Sequence, residues 1–168
     1  DEHHGGVEPP GHGHEELDAR RFAEWGFDFL KYDWCSYGGI AKDPGRAELE
    51  KPYRLMSEML RRQDRDIVLN LCQYGMGNVW EWGKDVGGHS WRTAGDLGLS
   101  FEGIATALFR DGFGNNGREK FAGPGGWNDP DYLLLGYLSN WKGQTAPTPL
   151  TPDEQYTHVT LWCLLAAP

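Results

Sequence analysis

Residues 13–35 read GHEELDARRFAEWGFDFLKYDWC, and this stretch decides the fold. Its first half predicts a helix over residues 14–25, because apolar side chains recur on one helical face and acids occupy the first turn. Gly26 breaks this pattern. Residues 27–33 then form a short apolar run, which predicts a buried strand ending at Asp33. The stretch is therefore a helix followed by a strand that carries a carboxylate at its end.

An apolar run that ends in acids recurs twice further along the chain. The three segments are FDFLKYDWC (27–35), SWRTAGD (90–96) and GPGGWNDPD (123–131). Helical periodicity fills the sequence between them, so strands alternate with helices. This alternation predicts an α/β fold with a parallel sheet whose loops converge on one face. Periodicity alone does not separate an open sheet from part of a barrel.

Local patterns predict the remaining elements. Residues 66–72 (DIVLNLC) form a further strand, and Trp91 lies in a short one. Pro52 suits the first turn of a helix, where its missing N–H costs nothing. Residues 101–108 have helical spacing. The run Thr-Pro-Asp-Glu at 151–154 is a capping box with proline at the first helical position, so a last helix begins there.

Composition limits the functions that the chain can have. With 168 residues and 39% hydrophobic content, the chain can fill one domain-sized core. A formal net charge of −9 argues against nucleic acid or an anionic membrane as partner, because either calls for a basic patch. No apolar run approaches the ~20 residues that span a bilayer. Eight Trp and 24 Gly fit either a carbohydrate-binding protein or an aromatic core with many turns.

Cysteine and histidine spacing gives neither a disulfide framework nor a metal site. The cysteines are Cys35, Cys72 and Cys163. Histidines cluster near the amino end without ligand spacing, at His3, His4, His12 and His14. We therefore predict no metal and no other cofactor. The sequence also lacks the phosphate loop and the serine nucleophile elbow of other enzyme classes.

Basic and acidic residues are paired at the ends of the predicted strands. Lys31 and Asp33 are two apart on a strand and share a face, where the lysine would keep the carboxylate ionised. Such a carboxylate can be a nucleophile, although a structural ion pair gives the same pattern. Arg92 and Asp96 are open to the same two interpretations. Asp131 ends a rigid turn that orients hydroxyls or caps a following helix. Paired carboxylates beside aromatic residues are typical of glycoside hydrolysis.

Taken together, these segments resemble family 27 of the glycoside hydrolases, the α-galactosidase family of clan D. Residues 13–35 are similar to the family's third helix and fourth strand, which implies that Asp33 is the nucleophile. SWRTAGD resembles the segment after strand six, which implies that Asp96 is the acid/base. GPGGWNDPD matches the strand-seven signature, and LWCLLAAP (161–168) is similar to the helix before strand eight. The resemblance implies part of a (β/α)8 TIM barrel, roughly from strand 4 to the start of strand 8.

The resemblance also implies how the sugar is bound. The substrate-binding side chains that it implies are Lys31, Cys35, Gln73, Arg92 and Asp131. Aromatic residues such as Trp34 or Tyr74 are candidates for the pocket wall. In the family, the loop after strand five faces the substituent at C2 of the sugar. Here that loop carries Gln73 and Met76, which leave little room for an N-acetyl group.

The implied activity is that of a retaining, exo-acting glycoside hydrolase. It releases terminal α-linked galactose by double displacement from an oligosaccharide, a polysaccharide or a glycoconjugate. An α-N-acetylgalactosaminidase, a β-L-arabinopyranosidase of the same family and a non-catalytic carbohydrate-binding barrel remain alternatives. Resemblance alone favours a secreted or periplasmic location.

Two departures from the family pattern concern segments outside this sequence. The aspartate pair on the family's second strand, which binds galactose hydroxyls, has no counterpart here, and neither have strands 1–3 and strand 8. Residues 1–168 are therefore expected to be a partial catalytic domain that is inactive by itself. No cysteine precedes Cys35, so the disulfide that many members form at this position cannot form within this chain.

Overall fold

A parallel sheet of four strands organises the described part of the chain. The structure is a computed structural model, and it describes residues 13–35, 37–41, 45–110, 117–140 and 142–167. The strands follow one another in sequence order across the sheet. They are β1 (Phe29–Asp33), β2 (Val68–Cys72), β3 (Ser90–Arg92) and β4 (Trp127–Asp129). The α/β fold with a parallel sheet, predicted from the alternation of strands and helices, is confirmed.

Helices and one hairpin complete the described part of the chain. The helices are α1 (Glu15–Glu24), α2 (Arg46–Arg61), α3 (Val79–Trp82), α4 (Phe101–Ala105) and α5 (Pro152–Leu164). A wider helical turn extends α4 to Arg110. The hairpin of β5 (Tyr137–Ser139) and β6 (Thr145–Pro147) precedes α5, and no sequence pattern predicted it. None of the helices among the described residues is long and apolar enough to cross a membrane.

The predicted capping box begins α5. The Thr151 hydroxyl accepts a hydrogen bond from the N–H of Glu154, and the Glu154 carboxylate accepts one from the N–H of Thr151 at 2.8 Å. These bonds satisfy two donors that a first helical turn otherwise leaves unpaired. The helix start predicted from residues 151–154 is therefore confirmed.

The start of α2 differs from the prediction. The helix begins at Arg46, after Gly45 in extended conformation, and Pro52 lies inside it. A proline there cannot donate to the carbonyl of Glu48. The ring of Pro52 is nevertheless buried on the apolar face of α2. The placement of Pro52 in the first turn is wrong, because burial of this face offsets the cost of a proline in a helix interior, about 3 kcal/mol.

The two faces of the sheet differ because side chains alternate along each strand. The outer face packs against α2, and the buried core there includes Tyr53, Met56, Leu69, Leu71 and Trp91. The inner face carries polar residues side by side in the register, with Lys31, Asn70 and Ser90 in one row and Asp33 and Cys72 in the next. Packing of the outer face against α2 therefore fixes which polar side chains lie on the inner face. A shift of one residue in the strand register would move every side chain to the opposite face.

Candidate active site

Asp33 ends β1 on the inner face, and its carboxylate accepts hydrogen bonds on both oxygens. Oδ1 receives the Tyr74 hydroxyl at 2.6 Å and the N–H and thiol of Cys35, each at 2.9 Å. Oδ2 receives the Cys72 thiol at 3.3 Å. Partial burial acts to raise the pKa of Asp33, but hydrogen bonds to the charged form outweigh burial and lower the pKa to about 2. Asp33 is therefore ionised near neutral pH.

Lys31 pairs with Asp131 rather than with Asp33. The Nζ of Lys31 lies 3.7 Å from Oδ1 of Asp131. Residues two apart on a strand are separated by about 6.6 Å, so the long lysine side chain can share a face with Asp33 and still reach a different carboxylate. The prediction that Lys31 keeps Asp33 ionised is wrong. Thiol, hydroxyl and backbone donors stabilise that charge instead.

The guanidinium of Arg92 holds two carboxylates at the carboxyl edge of the sheet. Its Nη2 lies 2.9 Å from Oδ2 of Asp131 and 3.2 Å from Oδ1 of Asp96. Its Nη1 lies 3.8 Å from the sulfur of Cys72, which also contacts Asp33. A continuous set of contacts thus joins Asp33 to Asp96 through Cys72 and Arg92. The two acids lie at one edge of the sheet, as the parallel layout predicted.

The three charged groups around Arg92 differ in exposure. The side chains of Arg92 and Asp131 are each 1% exposed, whereas that of Asp96 is 72% exposed. Burial raises the pKa of Asp131, while the N–H of Leu97 and the charge of Arg92 oppose the increase. A buried ion pair therefore supports an open carboxylate, and Asp96 is the acid that a substrate can approach.

Asp131 lies just beyond β4, and its backbone has a φ of +90°, a conformation that residues other than glycine rarely adopt. Its N–H donates to Oδ1 of Asp129 at 2.7 Å, and its carbonyl accepts the indole N–H of Trp162 at 2.8 Å. A hairpin follows in the chain instead of a helix. The interpretation of Asp131 as a helix cap is therefore wrong, because its carboxylate bridges the two cations Lys31 and Arg92.

Two further residues from the sequence prediction are buried. Trp34 is 6% exposed and stacks on Tyr53, with ring centroids 6.4 Å apart. It is not a pocket wall, because strand alternation turns it away from the face that Asp33 occupies. Gln73 is fully buried, and its Nε2 donates to the carbonyl of Met76 at 2.8 Å. Gln73 therefore holds its own loop, and a contact with the sugar stays a prediction.

The histidine cluster near the amino end falls mainly outside the described residues, which exclude His3, His4 and His12. His14 precedes α1 without capping it through its side chain. Across the described ranges, no group of three His, Cys, Asp or Glu side chains is arranged to hold a metal ion. The cysteines Cys35, Cys72 and Cys163 are free thiols.

Sequence reasoning missed Asn70, which supports the site. Asn70 donates to Oδ2 of Asp129 at 2.7 Å although the two are 59 residues apart. Strand parity offered one signal, because Asn70 and Cys72 are two apart and share a face. Strand parity could not identify Asp129 as the partner of Asn70, because the register between strands decides which side chains meet.

An ionised aspartate, a second open aspartate and two cations at the carboxyl edge of a parallel sheet form the arrangement of a barrel glycosidase. The model of the α-galactosidase A family matches residues 4–168, and the chain belongs to this family, which is family 27 of the glycoside hydrolases.

Known proteins support this assignment and the barrel. The α-galactosidase A of Cellvibrio japonicus is 33% identical over 171 residues, which cover 95% of this chain and 37% of that protein. A Bacteroides fragilis structure with the provisional name α-galactosidase/melibiase is 39% identical with a TM-score of 0.78, covering 100% of this chain and 35% of that one. The Saccharomyces cerevisiae α-galactosidase with raffinose is 29% identical with a TM-score of 0.74, covering 95% and 36%. The chain thus spans little more than a third of these relatives and forms part of a (β/α)8 barrel.

Proposed function

We propose that the complete protein is a retaining, exo-acting glycoside hydrolase that releases terminal α-linked galactose. Asp33 attacks the anomeric carbon, and Asp96 first protonates the leaving oxygen and then deprotonates the water that releases the sugar. One observation carries this proposal. Asp33 is an ionised carboxylate at the carboxyl end of β1, linked by contacts to the open carboxylate of Asp96.

The hydrogen bonds of Asp33 assign its two oxygens different tasks. Oδ1 is engaged by Tyr74 and twice by Cys35, whereas among the described residues Oδ2 receives only the thiol of Cys72, at 3.3 Å. A thiol is a weak donor, so Oδ2 keeps more of its nucleophilic character. We therefore assign the attack to Oδ2. The donors on Oδ1 hold the carboxylate in one orientation, which favours a near-attack geometry.

Asp96 suits the second role because it is the open member of the Arg92 cluster. Arg92 also pairs with the buried Asp131, which partly neutralises the positive charge of Arg92. The attraction between Arg92 and Asp96 is therefore weaker than in an isolated ion pair. Lys31, with a side chain 42% exposed, supplies N–H donors for sugar hydroxyls, and Cys35 lies beside the nucleophile. A direct contact between Arg92 and the sugar stays a prediction, because the Arg92 side chain is 1% exposed. A non-catalytic binder would need no proton donor at this position, and this favours the enzyme over the binding barrel.

The domain assignment is also a proposal. Residues 1–168 would form the middle of the catalytic barrel, and strands 1–3 and the end of the barrel would come from other parts of the complete protein. The isolated segment is then expected to be inactive, because part of the sugar pocket is missing. The substrate would be a galactose-containing oligosaccharide, polysaccharide or glycoconjugate, since the yeast relative was solved with the galactoside raffinose.

Proton NMR during hydrolysis of p-nitrophenyl α-galactoside tests this function in the complete enzyme. We expect α-galactose to appear first and to mutarotate later, because two displacements retain configuration. The rate on the matching α-N-acetylgalactosaminide should be lower, since Gln73 and Met76 leave little room for the acetamide at C2. The rate on the β-L-arabinopyranoside should be lower because that sugar lacks the hydroxymethyl group of galactose and the contacts which that group can make. Initial β-galactose would contradict the retaining mechanism, and faster turnover of either comparison substrate would contradict the assigned sugar.

The acid limb of activity should depend on the Tyr74 hydroxyl. The pKa of Asp33 is lowered from 3.8 to about 2, in part by this donor, so Tyr74→Phe should raise it. Activity requires ionised Asp33 and is lost as pH falls through its pKa. The acid limb of kcat/KM should therefore move upward by about one pH unit.

Tyr156→Phe is the matched control, because Tyr156 lies on α5 with 76% of its surface exposed. Its pH profile should equal that of the wild type. Full recovery of each enzyme after return to about pH 6 separates titration from acid unfolding. An unchanged acid limb in Tyr74→Phe would show that the hydroxyl does not stabilise the nucleophile.

A further inference from the structure

The backbone of Asp131 is strained. Holding a non-glycine residue at a φ of +90° costs on the order of 1–3 kcal/mol of folding free energy, so the contacts around Asp131 must keep it in this conformation. Such strain concentrates at functional sites. Asp131 carries the carboxylate that bridges Lys31 and Arg92, at 3.7 and 2.9 Å, so its backbone position influences where both cations lie.

The backbone of Asp131 is held from both sides. Its carbonyl accepts the indole N–H of Trp162 from α5 at 2.8 Å. Its N–H donates to Oδ1 of Asp129 at 2.7 Å. The second contact works only while the Asp129 carboxylate keeps its orientation, and Asp129 is itself 8% exposed and therefore needs a donor for its other oxygen.

Asn70 supplies that donor. Its Nδ2 lies 2.7 Å from Oδ2 of Asp129 and 2.8 Å from the hydroxyl of Ser90, and Asn70 is 1% exposed. Because a carboxylate only accepts, Asn70 must present its amide nitrogen to Asp129. A hydrogen bond to a charged group in a buried place is a strong one. It joins the middle of β2 to the end of β4.

We propose that Asn70 is a positioning residue of the active site. Acting through Asp129, it holds Asp131 in its strained conformation, so that the Asp131 carboxylate places Lys31 against the sugar and Arg92 against Asp96. Asn70 does not touch substrate. The inference rests on the proposed function for the identity of the sugar, and it adds a residue that the family resemblance did not imply.

Reversing the pair tests this proposal in the complete enzyme. Asn70→Asp places a second carboxylate beside that of Asp129. Repulsion between the two should turn the Asp129 side chain and so displace Asp131. The double variant Asn70→Asp/Asp129→Asn restores both bonds, because Asn at 129 can donate to Asp at 70 and still accept from the N–H of Asp131. Asn70→Leu removes the donor at similar size. Ser90→Ala, the matched control, removes the other contact of Asn70 and leaves the bond to Asp129.

Two measurements separate positioning from stability, namely KM for p-nitrophenyl α-galactoside and the calorimetric Kd for galactose. We expect both to rise by about tenfold or more in Asn70→Asp and Asn70→Leu, with a smaller change in kcat. The double variant and Ser90→Ala should remain within about threefold of wild type. Lower pH should rescue Asn70→Asp, whose carboxylate pair then shares a proton, but not Asn70→Leu.

Several results would overturn the proposal. If KM and Kd stay at wild-type values in folded Asn70→Leu, whatever its thermal stability, Asn70 has a structural role only. A folded double variant without recovery would do the same. These outcomes leave the proposed function intact. If the wild type neither hydrolyses the galactoside nor binds galactose, the proposed function fails, and the role of Asn70 fails with it.

Discussion

Asp33→Ala should lower kcat/KM of the complete enzyme on p-nitrophenyl α-galactoside by at least about 10⁴-fold. The substitution removes the carboxylate that we propose as the nucleophile, while Asp96, the proposed acid, remains in place to protonate the leaving group. Added azide should restore part of the activity, because this small anion can enter the space that the carboxylate leaves and attack the same carbon. The measurement is the initial rate of nitrophenol release with and without azide.

Asp28→Ala provides the matched control for this loss. Asp28 precedes β1, its side chain is 76% exposed, and it pairs with Arg65 away from the inner face. Its replacement should leave kcat/KM within about twofold of wild type. If Asp33→Ala kept more than a tenth of wild-type activity, Asp33 would not be the nucleophile.

Arg92→Met should lower the free energy of unfolding of the complete protein by about 3–5 kcal/mol. The change leaves the Asp131 carboxylate buried, with Lys31 at 3.7 Å as its remaining cation. A buried charge that loses its nearest cation is costly, because Lys31 and the N–H of Leu97 replace only part of its hydration. Chemical denaturation at neutral pH, followed by tryptophan fluorescence, measures the effect.

Two further variants show whether the Asp131 charge, once it has lost Arg92, causes the loss of stability. Asp131→Asn in the Arg92→Met background should recover much of the loss, since it removes the charge and asparagine tolerates positive φ. Arg21→Met should change little, because its pair with Glu24 lies on the surface of α1 with side chains about half exposed. A loss below about 1 kcal/mol in Arg92→Met would mean that water or relaxation solvates Asp131.

The inner-face site was only partly predictable from the sequence. Acids at the ends of apolar runs predicted where Asp33 and Asp96 would lie, because parallel strands present their carboxyl ends at one edge. The capping box at Thr151 was equally clear, since its donors and acceptors lie within one helical turn. Both signals are local, and local geometry is what a sequence pattern encodes.

The partners of those acids could not be predicted. Asp33 is stabilised by Tyr74 and Cys72 from the next strand and its loop, and Lys31 reaches Asp131 instead of its neighbour. These contacts depend on strand register and loop path, which the packing of the outer core sets. Pro52 failed as a helix-start signal for the same reason, because burial of the apolar face of α2 overrode its local preference.

The anomeric configuration of the galactosyl azide made by Asp33→Ala is the sharpest test of Asp33 as the nucleophile. We expect the β-azide, because azide would attack from the side of the missing carboxylate and displace the α-linked leaving group in one step. Formation of the α-azide, or of no azide at all by a folded variant, would contradict the assignment of Asp33 as the nucleophile.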